Sequence, residues 1–253
     1  MFSLEFQLAT GDKNIGTVYL PDEHATGLPV MIYCYGWGGN RTLTWPGEDV
    51  LRDSAVANGY AFVAFDFYAR GDTGGDPSLM SYGRWKNNLA DVFAWCATQP
   101  FADKNKIGCY SSSSGSMAAL RFGTENHDIA FIISVGTAIH LIGLAKTLAD
   151  HAAGLLAGEQ HEFCGTPFGI GFFVDAVGNA PIHKMEHIQC PVLFLQGGND
   201  SPFRCADAKM GYDLMKRKNL SATYIEIPGG DHGLENVFEE AMRHTFGWLS
   251  AIA

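Results

Sequence analysis

The chain of 253 residues is poor in positive charge: 17 lysines and arginines stand against 27 acids, a formal net charge of -10. That balance repels a phosphate backbone unless bases gather on one face. No basic face is visible. The densest stretch, Lys216-Arg217-Lys218, fits the last turn of a helix, where cations meet the negative end of the dipole. Nucleic acid is therefore not an expected partner. Long apolar runs are also missing. Even Leu141 to Leu156 is broken by Lys146, Asp150 and His151, well short of the roughly 18 uninterrupted apolar residues that a bilayer requires. No membrane association is expected. The first eight residues alternate like a strand and carry neither the basic segment nor the apolar run of a secretion signal. A soluble, cytoplasmic protein is the expectation. The six cysteines, Cys34, Cys96, Cys109, Cys164, Cys190 and Cys205, lack the paired short spacing of metal sites and read mostly as small core residues in a reducing compartment. Gly-Lys-Ser and Gly-Lys-Thr are absent, no G-x-G-x-x-G follows the first parallel strand, and there is no H-E-x-x-H. No cofactor and no metal are implied. Internal repeats, low-complexity tracts and interdomain linkers are lacking as well.

What is present is a steady alternation. Short runs rich in β-branched and aromatic residues recur at Pro29 to Tyr35, Tyr60 to Phe67, Lys106 to Tyr110, Ile129 to Val135, Pro191 to Gln196 and Ala222 to Ile227, the pattern of buried strands. Between them lie helical spacings at Glu48 to Asn58, Arg84 to Thr98, Ser114 to Phe122, Ala206 to Lys218 and Glu235 to Leu249. Such alternation predicts right-handed crossovers and a mainly parallel sheet with helices on both faces. Two further alternating segments, Leu4 to Leu8 and Ile15 to Leu20, predict an antiparallel hairpin at one edge, for about eight strands in a single domain spanning residues 1–253. The stretch from about 136 to 186 breaks the rhythm: it shows no convincing strand, a helical segment is followed by a Gly- and Phe-rich run, and the whole is too long for an ordinary connection. It reads as an inserted cap, in which Phe163, Phe168, Phe172 and Phe173 lie among glycines.

The segment Lys106-Ile107-Gly108-Cys109-Tyr110-Ser111-Ser112-Ser113-Ser114-Gly115 runs from an apolar strand through small residues into a helical pattern. A turn of this kind can hold a nucleophile in a strained backbone. The positions two before and two after it must then be small, because strand and helix nearly touch. Ser113 meets that condition with Ser111 and Gly115. Ser112 fails it through Tyr110, and Ser114, flanked by Ser112 and Ser116, lacks any glycine. A serine hydroxyl needs a general base and a group to orient that base. Downstream, Pro191 to Asp200 is a buried strand opening through Gly197-Gly198 into an acid, and Pro228-Gly229-Gly230-Asp231-His232-Gly233 sets a histidine just after the last strand. Asp207, inside the following helix, is the weaker alternative acid. The amide of Ser114, at the positive end of its helix, is a candidate donor to an oxyanion.

These segments resemble the α/β-hydrolase family, whose elbow reads G-x-S-x-G; here Ser111 stands where the first glycine falls. The resemblance implies the α/β-hydrolase fold with Ser113, Asp200 and His232 as the catalytic triad. It assigns the second oxyanion donor to Trp37 in Tyr35-Gly36-Trp37-Gly38-Gly39. The family usually has histidine at the position of Tyr35, so the bracing of that loop is expected to differ. Phe65-Asp66-Phe67-Tyr68-Ala69-Arg70-Gly71 resembles a second family signature, in which the acid and the arginine brace neighbouring loops. The narrower likeness is to bacterial feruloyl (cinnamoyl) esterases, on total length, insert position and Arg70-Gly71 followed by Gly75. A serine carboxylesterase acting on a small-molecule ester is the resulting expectation, with Phe168, Phe172, Phe173 and His140 of the cap contacting the substrate and His161 a further polar contact. A peptidase or thioesterase on the same triad is second, because fold and triad do not set the leaving group. A non-catalytic binding protein is third. The oligomeric state is open, with a homodimer among the alternatives.

Overall fold

In a computed structural model of the chain, residues 1–140, 145–159, 161–163 and 166–252 are described. Cys164 and the stretch 141–144 lie outside them, as does any account of the side chains of Phe163, His161 and Lys146. The two alternating N-terminal segments form β1 (Phe2–Gln7) and β2 (Ile15–Leu20), paired antiparallel as their spacing predicts. The apolar runs become β3 (Leu28–Cys34), β4 (Ala61–Phe65), β5 (Ala102–Ser112), β6 (Ile132–Val135), β9 (Val192–Gly197) and β10 (Ala222–Ile227). One sheet of eight strands results, in the order β1-β2-β4-β3-β5-β6-β9-β10, parallel from β4 onward.

Every residue of β4, β6 and β9 is buried, so both faces of the sheet are covered, as continuous apolar strands require. The cover consists of α1 (Glu48–Ala57), α2 (Tyr82–Cys96), α3 (Ser114–Gly123), α6 (Pro202–Arg217) and α7 (Phe238–Ile252), with α1 packed on α7 and α2 on α3. Local chemistry sets the helix ends. Ser81 accepts from the Arg84 amide at the start of α2, and Ser201, followed by Pro202, accepts from the Arg204 amide at the start of α6. Lys216 and Arg217 lie in the last turn of α6, where the dipole favours them. Cys34, Cys96, Cys109 and Cys190 are free and buried, while Cys205 is partly exposed. Among the described residues no helix is long and apolar enough to cross a membrane.

Between β6 and β9 the inserted stretch contains the expected helical segment and, beyond it, a hairpin and a second helix. It holds α4 (Ala145–Leu156), a two-stranded hairpin of β7 (His161–Phe163) and β8 (Thr166–Phe168), and α5 (Ile170–Gly178). Strands of three residues are too short to show a period of two, which is why none was legible there. Contacts of two kinds help fasten the insert to the sheet domain. Asp175 on α5 accepts from the Gly83 amide of α2 at 2.7 Å, and Phe172 stands between Tyr82 and Trp37, with ring centroids 4.6 and 4.7 Å away. Phe168, Phe172 and Phe173 are all buried.

Truncating a fully buried phenylalanine removes its transfer energy and leaves a cavity, at a cost of about 3–5 kcal/mol. Phe172→Ala should therefore lower the free energy of urea unfolding by that amount. A loss below about 1 kcal/mol would show that the insert is not packed on α2 as described.

Candidate active site

Ser113 falls between the end of β5 and the start of α3, with φ 50° and ψ -121°. That conformation is strained for a residue with a Cβ, and the surroundings leave no alternative. A Cβ on Gly115 would lie 2.1 Å from the Cys34 carbonyl oxygen and 2.4 Å from that of Tyr35. The first turn of α3 thus rests directly on the end of β3. One on Gly36 would come within 3.0 Å of the Ser113 Cβ. The serine at 111 is accommodated because its hydroxyl points across the sheet, donating to the Ile133 carbonyl of β6 at 2.8 Å. The extra hydroxymethyl group is hydrogen-bonded to the neighbouring strand, and its oxygen also lies 3.5 Å from the Ser116 hydroxyl of α3.

Asp200 and His232 arrive from the ends of β9 and β10. His232 Nε2 is 2.9 Å from Ser113 Oγ, and Nδ1 is 2.8 Å from Asp200 Oδ2. An ionised carboxylate can only accept, so Nδ1 carries the proton and Nε2 is left to accept from the serine hydroxyl. The side chain of Asp200 is 5% exposed and that of His232 44%, so the acid is sheltered while the imidazole faces the opening. Burial by itself would raise the Asp200 carboxyl. The hydrogen bond and charge of His232, with Gln196 and the Ser201 amide, outweigh it and hold the group below the ordinary carboxylate value. Asp207 does not reach His232. It is buried against His140, 3.2 Å from His140 Nε2, and accepts from the Ile139 amide at 3.3 Å.

The loop after β3 is braced as the two sequence signatures imply. Asp66 accepts from the amides of Arg41 at 2.7 Å and Asp72 at 2.8 Å, and Arg70 donates to the Gly39 carbonyl at 3.2 Å. Tyr35 does the work of the missing histidine in another way, its buried hydroxyl accepting from the Phe67 amide at 2.8 Å. Trp37 follows in that loop, beside a cavity of about 260 Å³ that opens at Ser113 and His232. Ser114 opens α3 and is buried. The amides of Trp37 and Ser114 thus belong to the two segments that meet at the nucleophile.

The cap residues fall elsewhere than expected. Phe168, Phe172 and Phe173 pack on one another and, for the first two, behind Trp37. They support the cavity wall without being among the residues that line it, and His140 is engaged with Asp207. The walls instead include Tyr33, Trp45, Glu48, Leu51, Tyr110 and Phe238. Four contributors escaped sequence reasoning. Gln196, at the end of β9, donates to Asp200 at 2.8 Å. Gly136 (φ 51°) lies against His232, where a Cβ would come within 2.9 Å of the ring. Tyr33 and Glu48 form a buried pair at 2.5 Å, and the Glu48 carboxylate also accepts from the Trp45 amide at 2.9 Å. The run Pro46-Gly47-Glu48 ahead of a helix signalled only a helix start. Among the described residues no three His, Cys, Asp or Glu side chains group to hold a metal ion.

Sheet order, strained elbow and the serine–histidine–carboxylate line together define a hydrolase built on the α/β-hydrolase fold. The family model for X-Pro dipeptidyl-peptidase (S15 family) matches residues 12–140, and that for BAAT / Acyl-CoA thioester hydrolase C terminal matches residues 89–238, each over half of the chain. The chain belongs to the α/β-hydrolase superfamily and is a hydrolase of esterase or peptidase type. Dipeptidyl aminopeptidase BIII of Pseudoxanthomonas mexicana is 24% identical over 205 residues, which cover 79% of this chain and 28% of that protein. The chain thus spans little more than a quarter of that relative's length. Est1E of Butyrivibrio proteoclasticus, solved with bound ferulic acid, superposes with a TM-score of 0.72 at 16% identity, over 94% of this chain and 96% of Est1E. An esterase of Pyrobaculum calidifontis gives 0.73 at 18% identity, over 99% and 84% of the two chains.

Because the folded value of Asp200 lies below the unfolded one, its contribution to stability is fully present above the unfolded value of about 3.9. It is lost as pH falls through the lower folded value. The gap in melting temperature between wild type and Asp200→Asn should therefore narrow as pH is taken below about 4. A gap that stays constant or widens there would contradict the hydrogen-bonded state of this carboxylate.

Proposed function

We propose that the protein is a serine carboxylesterase that hydrolyses small carboxylic esters through an acyl-enzyme on Ser113. The observation that carries this reading is the unbroken line from Asp200 through His232 to Ser113, at 2.8 and 2.9 Å, beside an accessible cavity. His232 Nε2 takes the serine proton as Ser113 Oγ attacks the ester carbonyl, and Asp200 stabilises the imidazolium that forms. The amides of Trp37 and Ser114 receive the developing oxyanion, each worth roughly 3–4 kcal/mol of barrier. His232 then protonates the departing alcohol. Water, deprotonated by the same imidazole, releases the acid and restores the serine. The fold shared with Est1E, whose structure holds ferulic acid, supports hydroxycinnamate esters as the first acyl class to test.

A peptidase is the second reading, favoured by the match to the S15 family and to a dipeptidyl aminopeptidase. Aryl esters, hydroxycinnamate esters, dipeptide amides and acyl thioesters assayed side by side separate these readings by kcat/KM. A fluorophosphonate probe should label Ser113 stoichiometrically and fail on Ser113→Ala. Asp200→Asn should lower kcat about a thousandfold or more through the wrong imidazole tautomer, whereas Asp207→Asn should leave kcat within a few-fold. Labelling that maps to Ser112 or Ser114, or a reversed order of the two aspartate variants, would displace the assignment.

A further inference from the structure

The cavity at Ser113 has an unusual charge balance. Among the described residues its lining includes three carboxylates, Glu48, Asp231 and Glu235, and neither lysine nor arginine. Glu48 is 5% exposed and forms part of the wall where α1 begins. Its two oxygens are tied to Tyr33 and the Trp45 amide, which fix the carboxylate in place without supplying a positive charge. Burial raises the Glu48 carboxyl, the two hydrogen bonds lower it only in part, and the neighbouring Glu235 raises it again. Glu235 is itself raised, by burial and then by Asp231, against the opposing pull of His232. Glu235 thus bears on Glu48 from a different segment of the wall, and like charges facing one cavity are relieved by a cation placed between them. Aromatic rings complete the surroundings: Trp37, Tyr110 and Phe238 line the cavity, and Trp45 stands at 46% exposure. Carboxylates set among aromatic rings suit an ammonium group, which gains from charge and from ring quadrupoles together. A purely structural role accounts for Glu48, as an anchor of the segment before α1. It does not account for Glu235, an exposed side chain on a different loop facing the same space.

We infer that this cavity selects esters carrying an ammonium group, held between Glu48 and Glu235 among Trp37, Trp45 and Phe238. The inference rests on the esterase reading above and names its substrate class. The same charges disfavour phosphate-bearing acyl carriers and free carboxylates near the reacting carbonyl. The net charge of -10 draws cations toward the molecule as a whole. An ammonium on the acyl part and one on the alcohol part present the same chemistry, and paired substrates tell them apart.

The test compares cationic esters with neutral isosteres on the full chain. Aryl esters of 4-(trimethylammonio)butanoic and 5,5-dimethylhexanoic acids probe the acyl side; choline and 3,3-dimethylbutyl butanoates probe the alcohol side. In at least one pair the cationic member should have a kcat/KM about tenfold or more above its isostere, a preference that weakens with added salt as exposed charges are screened. Glu48→Gln and Glu235→Gln should each reduce that ratio several-fold. Should Glu48→Gln fail to fold, as thermal melting would reveal, the exposed Glu235→Gln carries the test. A ratio at or below unity in both pairs, or one that neither variant alters, overturns the inference. Tryptophan fluorescence of Ser113→Ala, titrated with choline and with 3,3-dimethylbutan-1-ol, reads binding without chemistry. Fluorophosphonate labelling of wild-type Ser113 with no cationic preference in either ester pair and none for choline sinks the cation site alone. A preference for choline without labelling of Ser113 sinks the esterase reading and leaves the cation site standing.

Discussion

Holding a serine at φ 50° and ψ -121° costs of the order of 1–3 kcal/mol, and such a conformation survives only where the surroundings over-determine it. At Ser113 the constraint is the meeting of three backbones. Strand β5 ends, α3 begins, and the end of β3 passes so close that a single methyl group on Gly115 would overlap the Cys34 carbonyl. The proposed nucleophile is thereby lifted out of the sheet toward the open side. The same closeness brings the loop carrying Trp37 alongside the first turn of α3. Ser111 shows how narrow the tolerance is: its additional atoms are accepted where β6 offers a carbonyl and α3 the hydroxyl of Ser116.

The partners of Ser113 are set by equally close contacts farther along the sheet. Gly197, at the end of β9, faces the loop after β10 so tightly that a Cβ would lie 2.1 Å from the Asp231 carbonyl. Gly136, after β6, makes room for the His232 ring from the other side. Gln196 fixes Asp200, which in turn fixes the imidazole. On the opposite flank, Asp66, Arg70 and Tyr35 tie the loop after β3 to the loop after β4. Behind Trp37, the rings of Phe168 and Phe172 anchor the inserted segment. The phenylalanines of the insert thus act on the site at one remove, through the position of a wall residue.

The triad and the cavity wall beside it are consequently built from different parts of the fold. Ser113, His232 and Asp200 sit at strand ends, where the parallel sheet delivers side chains from successive crossovers to one edge. The cavity beside them is closed by the segment before α1 and by the start of α7, with Glu48 on one and Glu235 just ahead of the other. Neither segment takes part in the elbow, so the electrostatics of the cavity can vary while the strained turn stays as it is.

The amino-acid sequence by itself determined the strand and helix alternation, the sheet type, the register of the elbow at Ser113 and the order of serine, acid and histidine. These depend on local properties: apolar periodicity, small residues two positions away, and glycine turns after buried strands. The choice of Asp200 over Asp207 as the residue beside His232 followed from the glycine turn after β9 together with its resemblance to the acid-bearing loop of the α/β-hydrolase family. Tertiary structure alone decided what surrounds the site. The pairing of His140 with Asp207 spans two elements far apart in the chain, and the burial of Phe168, Phe172 and Phe173 depends on Tyr82 and Trp37, reached only after folding. Aromatic residues among glycines have the same composition whether they line a cleft or fill a core, so no pattern could separate the two. Tyr33, Glu48 and Glu235 become one electrostatic unit only where β3, α1 and the loop before α7 converge. A cavity is the space that distant segments fail to fill, and no local stretch of sequence records it.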